Sequence, residues 1–493
     1  MRFPRPATTA VLSNMAFASP LLYTRARCGD VDIRFLLVDS MSTAQVTWFA
    51  SQTTRTNPHQ QEKFMPISRR QMLQNTLVGG AAAAFTGGLN AQFLNAPRHG
   101  LPGTLQERFA KLDAEMARPV FRRELFKDPV ILEKVELLQY KDSWIGRVRA
   151  KGGQEGICIS NSLQIDSSYP VYTRRLAPFF VGKDARDLES LLEQAYVYDS
   201  NYKMQSLALW VPLATIEFAI LDMFGKMANL PIGLLISDKI HNKEVFVYQA
   251  NGERDNSAEE VIEHLQRDLA LSKAKAIKFK LGGRMSHEET PAGRSEKLIP
   301  MVRKTFGDQM VISADANGSY GVKEAIKIGK IMQEYKYAFY EEPVPFDWYE
   351  ETKQVADALD IPIAGGEQEA SMHNFRWLIA NGALSITQQD MFYYGGMVRS
   401  MRVARMANAL GKQTIPHISA QGLGYLYMMH FVSAIPNSGP YHEFKEFNMT
   451  LQFKCPTSTL HPDDRGAVKV PTGPGLGIDV DPDFIAKHVV VKG

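Results

Sequence analysis

The feature that most restricts what this chain can fold into is a beat that begins near Val245. Short apolar runs alternate with amphipathic stretches of helical length: EVFVYQA precedes SAEEVIEHLQRDLALS, AKAIKFKLG precedes SEKLIPMVRKTFG, and MVISADA precedes VKEAIKIGKIMQEY. YAFYEEP, IPIAGGE, LSITQQD and TIPHIS continue the series, each followed by another helical stretch, and a closing run lies near Tyr441. Strands alternating with helices of this length need crossover connections and therefore a parallel sheet. Seven such units and a closing strand predict a barrel rather than an open sheet. The runs end in Lys280, Asp315, Glu341, Glu367, Asp390, His417 and Glu443, and from Asp315 onward the gaps are 26, 26, 23, 27 and 26 residues. In a β/α barrel such strand ends converge on one mouth, where active sites lie.

Asp315, Glu341 and Glu367 would repel one another severely at that mouth without a cation. A hard divalent ion with oxygen ligands suits them, and Mg²⁺ is the expected metal. Glu342 follows Glu341 directly and in a strand points to the opposite face, so Glu341 is the expected inward ligand. Asp390 ends the strand before His417, where a carboxylate can hold an imidazole in one tautomer and raise its basicity. In AIKFKLG, Lys278 and Lys280 share one face while Ile277, Phe279 and Leu281 share the other. Two adjacent ammonium groups lower one another's pKa, so Lys280, nearer the mouth, is the expected base. Lys278, one layer deeper, is expected to hydrogen-bond a substrate carboxylate. Two surface lysines on an edge strand are the alternative, but a closed barrel has no exposed edge. Together these groups can remove the otherwise non-acidic proton α to a carboxylate through an enediolate.

The rest of the chain sets the context. At 493 residues it exceeds one ordinary domain, and a net charge of +3 is too small for that length to imply nucleic acid or an anionic membrane surface. Cys28, Cys158 and Cys455 share no metal-like spacing. No uninterrupted apolar run approaches the roughly 20 residues of a membrane helix. Residues 1–64 lack sustained periodicity and are expected not to fold, or to precede a translation start at Met65. Residues 65–91 carry Arg69 and Arg70, a modest apolar stretch and small residues near Ala91, the layout of a twin-arginine export signal. That predicts a periplasmic or secreted protein, or a cytoplasmic one if the signal does not function. Residues 92–129 read as a linker and helical lead-in. In 130–244, VILEKVELLQY, SWIGRVRAKGG and EGICISNS read as strands, and 185–198 and 207–227 as helices, so this block is a small α+β domain.

The motifs KFK at 278–280, DAN at 315–317, EEP at 341–343, GGE at 365–367, QQD at 388–390 and PH at 416–417 resemble the enolase superfamily, mandelate racemase subgroup. The resemblance runs from about residue 130 to the C-terminus, where GPGLGID at 473–479 is similar to the family's closing segment. It implies an α/β fold: a modified (β/α)7β TIM-type barrel over 245–450 under an α+β capping domain at 130–244, with 451–493 returning to the cap. It further implies one Mg²⁺ per subunit on Asp315, Glu341 and Glu367, Lys280 as base on one side of the substrate, and His417 with Asp390 as acid/base on the other. Lys278 would contact the substrate carboxylate, Glu443 would hydrogen-bond its other oxygen, and Asn317 is a further substrate-binding candidate. His417 argues against the muconate-lactonising subgroup, which has a lysine near the Asp390 strand end instead of the histidine–aspartate pair. QQD stands where the family often has a proline, and Gln368 follows Glu367; neither change removes a reacting group.

Two outcomes fit this set. Protonation of a departing β-hydroxyl by His417 gives dehydration of a sugar acid to a 2-keto-3-deoxy acid, the outcome the family favours. Proton exchange between Lys280 and His417 gives racemisation or epimerisation. A noncatalytic, exported, metal-stabilised binding protein is the reading from another class, and two opposed proton carriers speak against it. Specificity is expected from the cap, with Lys141 in the loop 140–144 and Arg174 in the segment 172–175 as candidate contacts to polar or anionic substrate ends. The expected partner is a small carboxylic acid, with no nucleic acid or membrane, and a homo-oligomer follows from the family.

Overall fold

The computed structural model describes residues 23–28, 31–36, 100–286, 288–419, 424–444 and 453–493. Strands β1 (Tyr23–Cys28) and β2 (Val31–Leu36) pair antiparallel, Tyr23 opposite Leu36, inside the stretch expected not to fold. The signal passed over is the period-2 alternation of VDIRFL just after Gly29-Asp30, a dipeptide that favours hairpin turns. The rest of 1–64 and the export segment 65–91 lie outside the described residues.

The unit that carries the site begins with helix α1 (Leu105–Met116). Its start is fixed by a capping box: Thr104 Oγ1 accepts from the Glu107 amide at 3.2 Å and the Glu107 carboxylate accepts from the Thr104 amide at 2.7 Å. Leu112 is fully buried against two barrel helices with Phe375, Ile379, Val403 and Met406. Arg376 adds a two-pronged ion pair to Asp113 at 2.5 and 2.7 Å. Next come β3 (Leu132–Tyr140), β4 (Ser143–Ala150) and β5 (Glu155–Ile159), an antiparallel meander whose outer edge is covered by the C-terminal strand Val489–Val490 on β3.

Helices α2 (Ser162–Val171) and α3 (Leu207–Ala228) follow. The α3 helix is apolar on all sides because it is buried on all sides, between the meander and the barrel. It carries two buried acids that tie elements together. Asp222 accepts from the amides of Ile157 and Leu476, both at 2.9 Å, and Glu217 accepts from the Val398 amide at 2.9 Å. Cys158 and Cys455 are both free thiols.

The barrel strands are β6 (Glu244–Ala250), β7 (Ala276–Lys280), β8 (Val311–Asp315), β9 (Tyr340–Glu341), β10 (Ile363–Gly365), β11 (Ile386–Thr387), β12 (Gln413–Thr414) and β13 (His442–Phe444). Consecutive strands pair in parallel and β13 returns to pair with β6. A parallel bridge between Thr414 and Ser438 joins the two ends. A helix follows each of the first seven strands, so the architecture is a (β/α)7β TIM-type barrel. Tyr248, Ala276, Val311, Phe339, Ala364, Ile386, Ile415 and Tyr441 form one apolar cluster with a residue from each strand or its flank. They plug the barrel beneath its mouth. On β7, Ile277, Phe279 and Leu281 pack with the helices outside, which turns Lys278 and Lys280 inward.

Candidate active site

Eight parallel strands aim their last polar residues at one mouth. Asp315, Glu341 and Glu367 meet there, all buried, with carboxylate oxygens within 4.8 Å of one another. Lys278 Nζ, 2% exposed, donates to both oxygens of Glu341 at 2.9 Å and lies 3.8 Å from Glu443 Oε1. Lys280 Nζ pairs with Asp315 and donates to Asn317 Oδ1 at 3.0 Å. The two ammonium groups therefore face separate acids rather than each other. Burial works against the Lys278 charge, but Glu341, Tyr248 and Glu443 outweigh it and hold its pKa well above the usual value. For Lys278 this corrects the expectation of depression by its twin: the acids around it dominate.

The acids divide in the same way. Burial disfavours the Asp315 carboxylate, yet Lys280 and Lys278 keep it well below the usual range. Burial, reinforced by Asp315, pushes Glu341 up to about 7. The Oε2 atom of Glu367 is buried without a hydrogen bond. Three buried carboxylates with oxygens this close together and one oxygen unsatisfied are the donor set a hard divalent cation fits.

On the far side of the mouth His417 Nδ1 lies 2.9 Å from Asp390 Oδ2, and its Nε2 is 3.4 Å from Glu367 Oε2 and 3.9 Å from Glu443 Oε2. Asp390 is itself pinned by the amides of Phe392, Tyr393 and Ser419 at 2.8, 3.1 and 2.7 Å. A carboxylate held this firmly fixes the imidazole with Nε2 toward the cavity. Glu443 accepts from the Ile418 amide at 2.9 Å.

Glu342 departs from its expected place. The strand ends at Glu341, and Glu342 has φ +40°, so the alternation stops and its carboxylate turns back to the cavity wall. There it accepts from Asn317 Nδ2 at 3.3 Å, and burial with Glu367 and Asp315 beside it holds it well above the carboxylate range. Gly366 does a related job for Glu367. It sits at φ +106°, where a Cβ would come 2.5 Å from the Phe375 ring.

The cavity measures about 580 Å³ and is lined by Lys278, Lys280, Asn317, Glu367, His417 and Glu443, all expected from sequence. Its lining also includes Asn251, Arg284, Tyr393 and Ser419, which sequence reasoning missed. Asn251 was within reach, because it directly follows β6 as the other site residues follow theirs. The two cap candidates are not brought there. Lys141 sits in a two-residue turn between β3 and β4, over the Tyr140 ring, which packs on Phe484 and His488. Arg174 is exposed on a π-helical turn, Tyr172–Leu176, beside the C-terminal Gly493. A turn that short leaves no chain to reach the mouth. The cap contact that does form comes from the start of α2: Asn161 Nδ2 donates to Ser419 Oγ at 2.8 Å and Gln164 Nε2 to Tyr393 Oη at 3.4 Å.

Comparison with known proteins gives the same picture. Residues 260–484 match the family described as enolase C-terminal domain-like. The chain is similar to the arabinonate dehydratase of Saccharolobus solfataricus, 26% identical over 308 residues that span 62% of this chain and 79% of the relative. It is also similar to the D-galactarolactone cycloisomerase of Agrobacterium fabrum, 25% identical over 322 residues, 63% of this chain and 82% of that one. A solved mandelate racemase/muconate lactonizing protein from Paracoccus denitrificans PD1222, complexed with magnesium, has a TM-score of 0.66 and 26% identity, covering 74% of this chain and 99% of its own. The matched region contains all the acids, lysines and the histidine that converge on the mouth; residues 260–484 form an enolase C-terminal domain-like barrel, and the chain is similar to mandelate racemase-like enzymes of the enolase superfamily.

Proposed function

We propose that this enzyme dehydrates a sugar acid to a 2-keto-3-deoxy acid. The observation that carries the reading is the placement of two proton carriers around the acidic triad: Lys280 at the end of β7 and His417 just beyond β12, three strands away by the shorter path around the barrel. Asp315, Glu341 and Glu367 would hold the metal, for which Mg²⁺ fits the all-oxygen donor set. Bound there, the cation would neutralise charge that develops on the substrate carboxylate.

Lys280 Nζ takes the proton from the carbon α to the carboxylate, and the electron pair moves into the carboxylate as an enediolate. Lys278 and Glu443 orient the carboxylate, Lys278 by its charge and Glu443 by a hydrogen bond. His417, protonated at Nε2 and held through Nδ1 by Asp390, gives its proton to the β-hydroxyl as the C–O bond breaks. Water leaves, and the enol tautomerises to the keto acid. Solvent exchange at C2 in D₂O with keto-acid formation, run over a stereochemical panel of sugar acids with Mg²⁺, tests this. Exchange into both C2 epimers without keto acid would establish the second reading, an epimerase, which the non-dehydratase chemistry of the cycloisomerase relative keeps in view. Export through the Arg69-Arg70 segment belongs to the same proposal, and fractionation of cells carrying an Arg69→Lys, Arg70→Lys variant tests it by retention in the cytoplasm.

A further inference from the structure

We infer that the substrate carries a second anionic group besides the reacting carboxylate, and that Arg284 with Arg254 binds it; this rests on the acid-sugar reading above. The cations of the cavity fall into two kinds. Lys278 and Lys280 are neutralised by Glu341 and Asp315. Arg284 lines the same cavity, and its guanidinium makes no hydrogen bond or ion pair with any described residue. Arg254 approaches the cavity wall from the loop after β6, where Nη2 donates to Asn317 Oδ1 and Nε is buried without a partner. Burial lowers the Arg254 pKa, and the Arg284 charge lowers it further against Asp315, so the two guanidinium groups are within electrostatic reach of each other. Arg284 on the cavity lining, with the Arg254 guanidinium behind Asn317 within reach of its charge, forms an oxyanion site.

The placement of Arg284 is imposed by the loop. Arg284 and Met285 both take left-handed backbone, φ +57° and +51°, a conformation that non-glycine residues adopt only when their surroundings fix it. The fixing bonds are the Arg284 amide to Ser319 Oγ and the Met285 amide to Asn317 O, each 2.9 Å. Because Asn317 also accepts from Lys280 and Arg254, the anion site and the base share one support. A terminal carboxylate and a terminal phosphate ester both present the oxyanion this pair would grip.

The test pairs each aldonate of the panel with the aldarate and the terminal phosphate ester of the same configuration. C2 exchange gives kcat/KM, and calorimetry in Mg²⁺ gives affinity. The dianionic acids should exceed their monoacid by roughly 10- to 100-fold in both measures, the range of a charged hydrogen-bonded contact. Arg284→Gln and Arg254→Gln should each shrink that ratio by most of this factor. Preference for the aldarate identifies a carboxylate site, and preference for the ester identifies a phosphate site. Equal values for monoacids and dianionic acids, or a ratio that neither variant changes, overturns the inference while leaving the dehydratase reading in place. Absence of C2 exchange with every acid overturns that reading, and the inference with it.

Discussion

In the proposed reaction Lys280 and His417 act on different protons, and single replacements would separate them. Lys280→Met is expected to abolish C2 exchange, whereas His417→Asn is expected to retain some exchange while losing keto-acid formation. Each should lower kcat by roughly 10²- to 10⁴-fold, the usual contribution of a positioned acid or base; equal loss of exchange in both variants would refute the division of roles. Glu217 gives a prediction of another kind. Burial, only partly offset by the amides of Val398 and Met397, raises this carboxyl from 4.5 to about 8. Between those values the unfolded chain has released a proton that the folded protein keeps, so stability falls as pH rises and the loss is complete above about 8. Glu217→Gln should therefore flatten the pH dependence of Tm over this interval and gain on the wild type toward its upper end. Parallel Tm curves for the two proteins would show that Glu217 is not the source.

Helix α1 is an outrigger on the barrel, and its contribution is packing. Leu112→Ala should cost about 2–5 kcal/mol in denaturant unfolding, the range for truncating a fully buried leucine. KM for the acid substrate should stay constant, because α1 is absent from the cavity lining. The way elements were legible in sequence also differs with their length. β7 spans Ala276–Lys280, long enough for alternation to place both lysines inward. β9 has two residues, so alternation failed one position later, at Glu342, where the backbone had already left the strand. The spacing of one polar residue per strand–helix unit recovered the triad, Asp390, His417 and Glu443. It could not recover Arg284 or Tyr393, which sit in loops with no period, nor discard Lys141, whose tight turn is set by cap pairing rather than by the barrel repeat.

At the scale of the molecule, a cation held by Asp315, Glu341 and Glu367 would couple ligand occupancy to folding. Mg²⁺ at about 100 times its Kd should stabilise the protein by roughly 2.7 kcal/mol, and Asp315→Asn should remove most of that increment. Thermal melts with and without chelator measure both. The cap sheet holds a different coupling. Its outer strand is Val489–Val490, paired with Leu138 and Gln139, so residues more than 340 positions apart finish one sheet. During synthesis every barrel strand leaves the ribosome before that outer strand exists. The edge of β3 must stay uncovered through all of that time, open to pairing with a neighbouring nascent chain, until Val489–Val490 emerges and closes it.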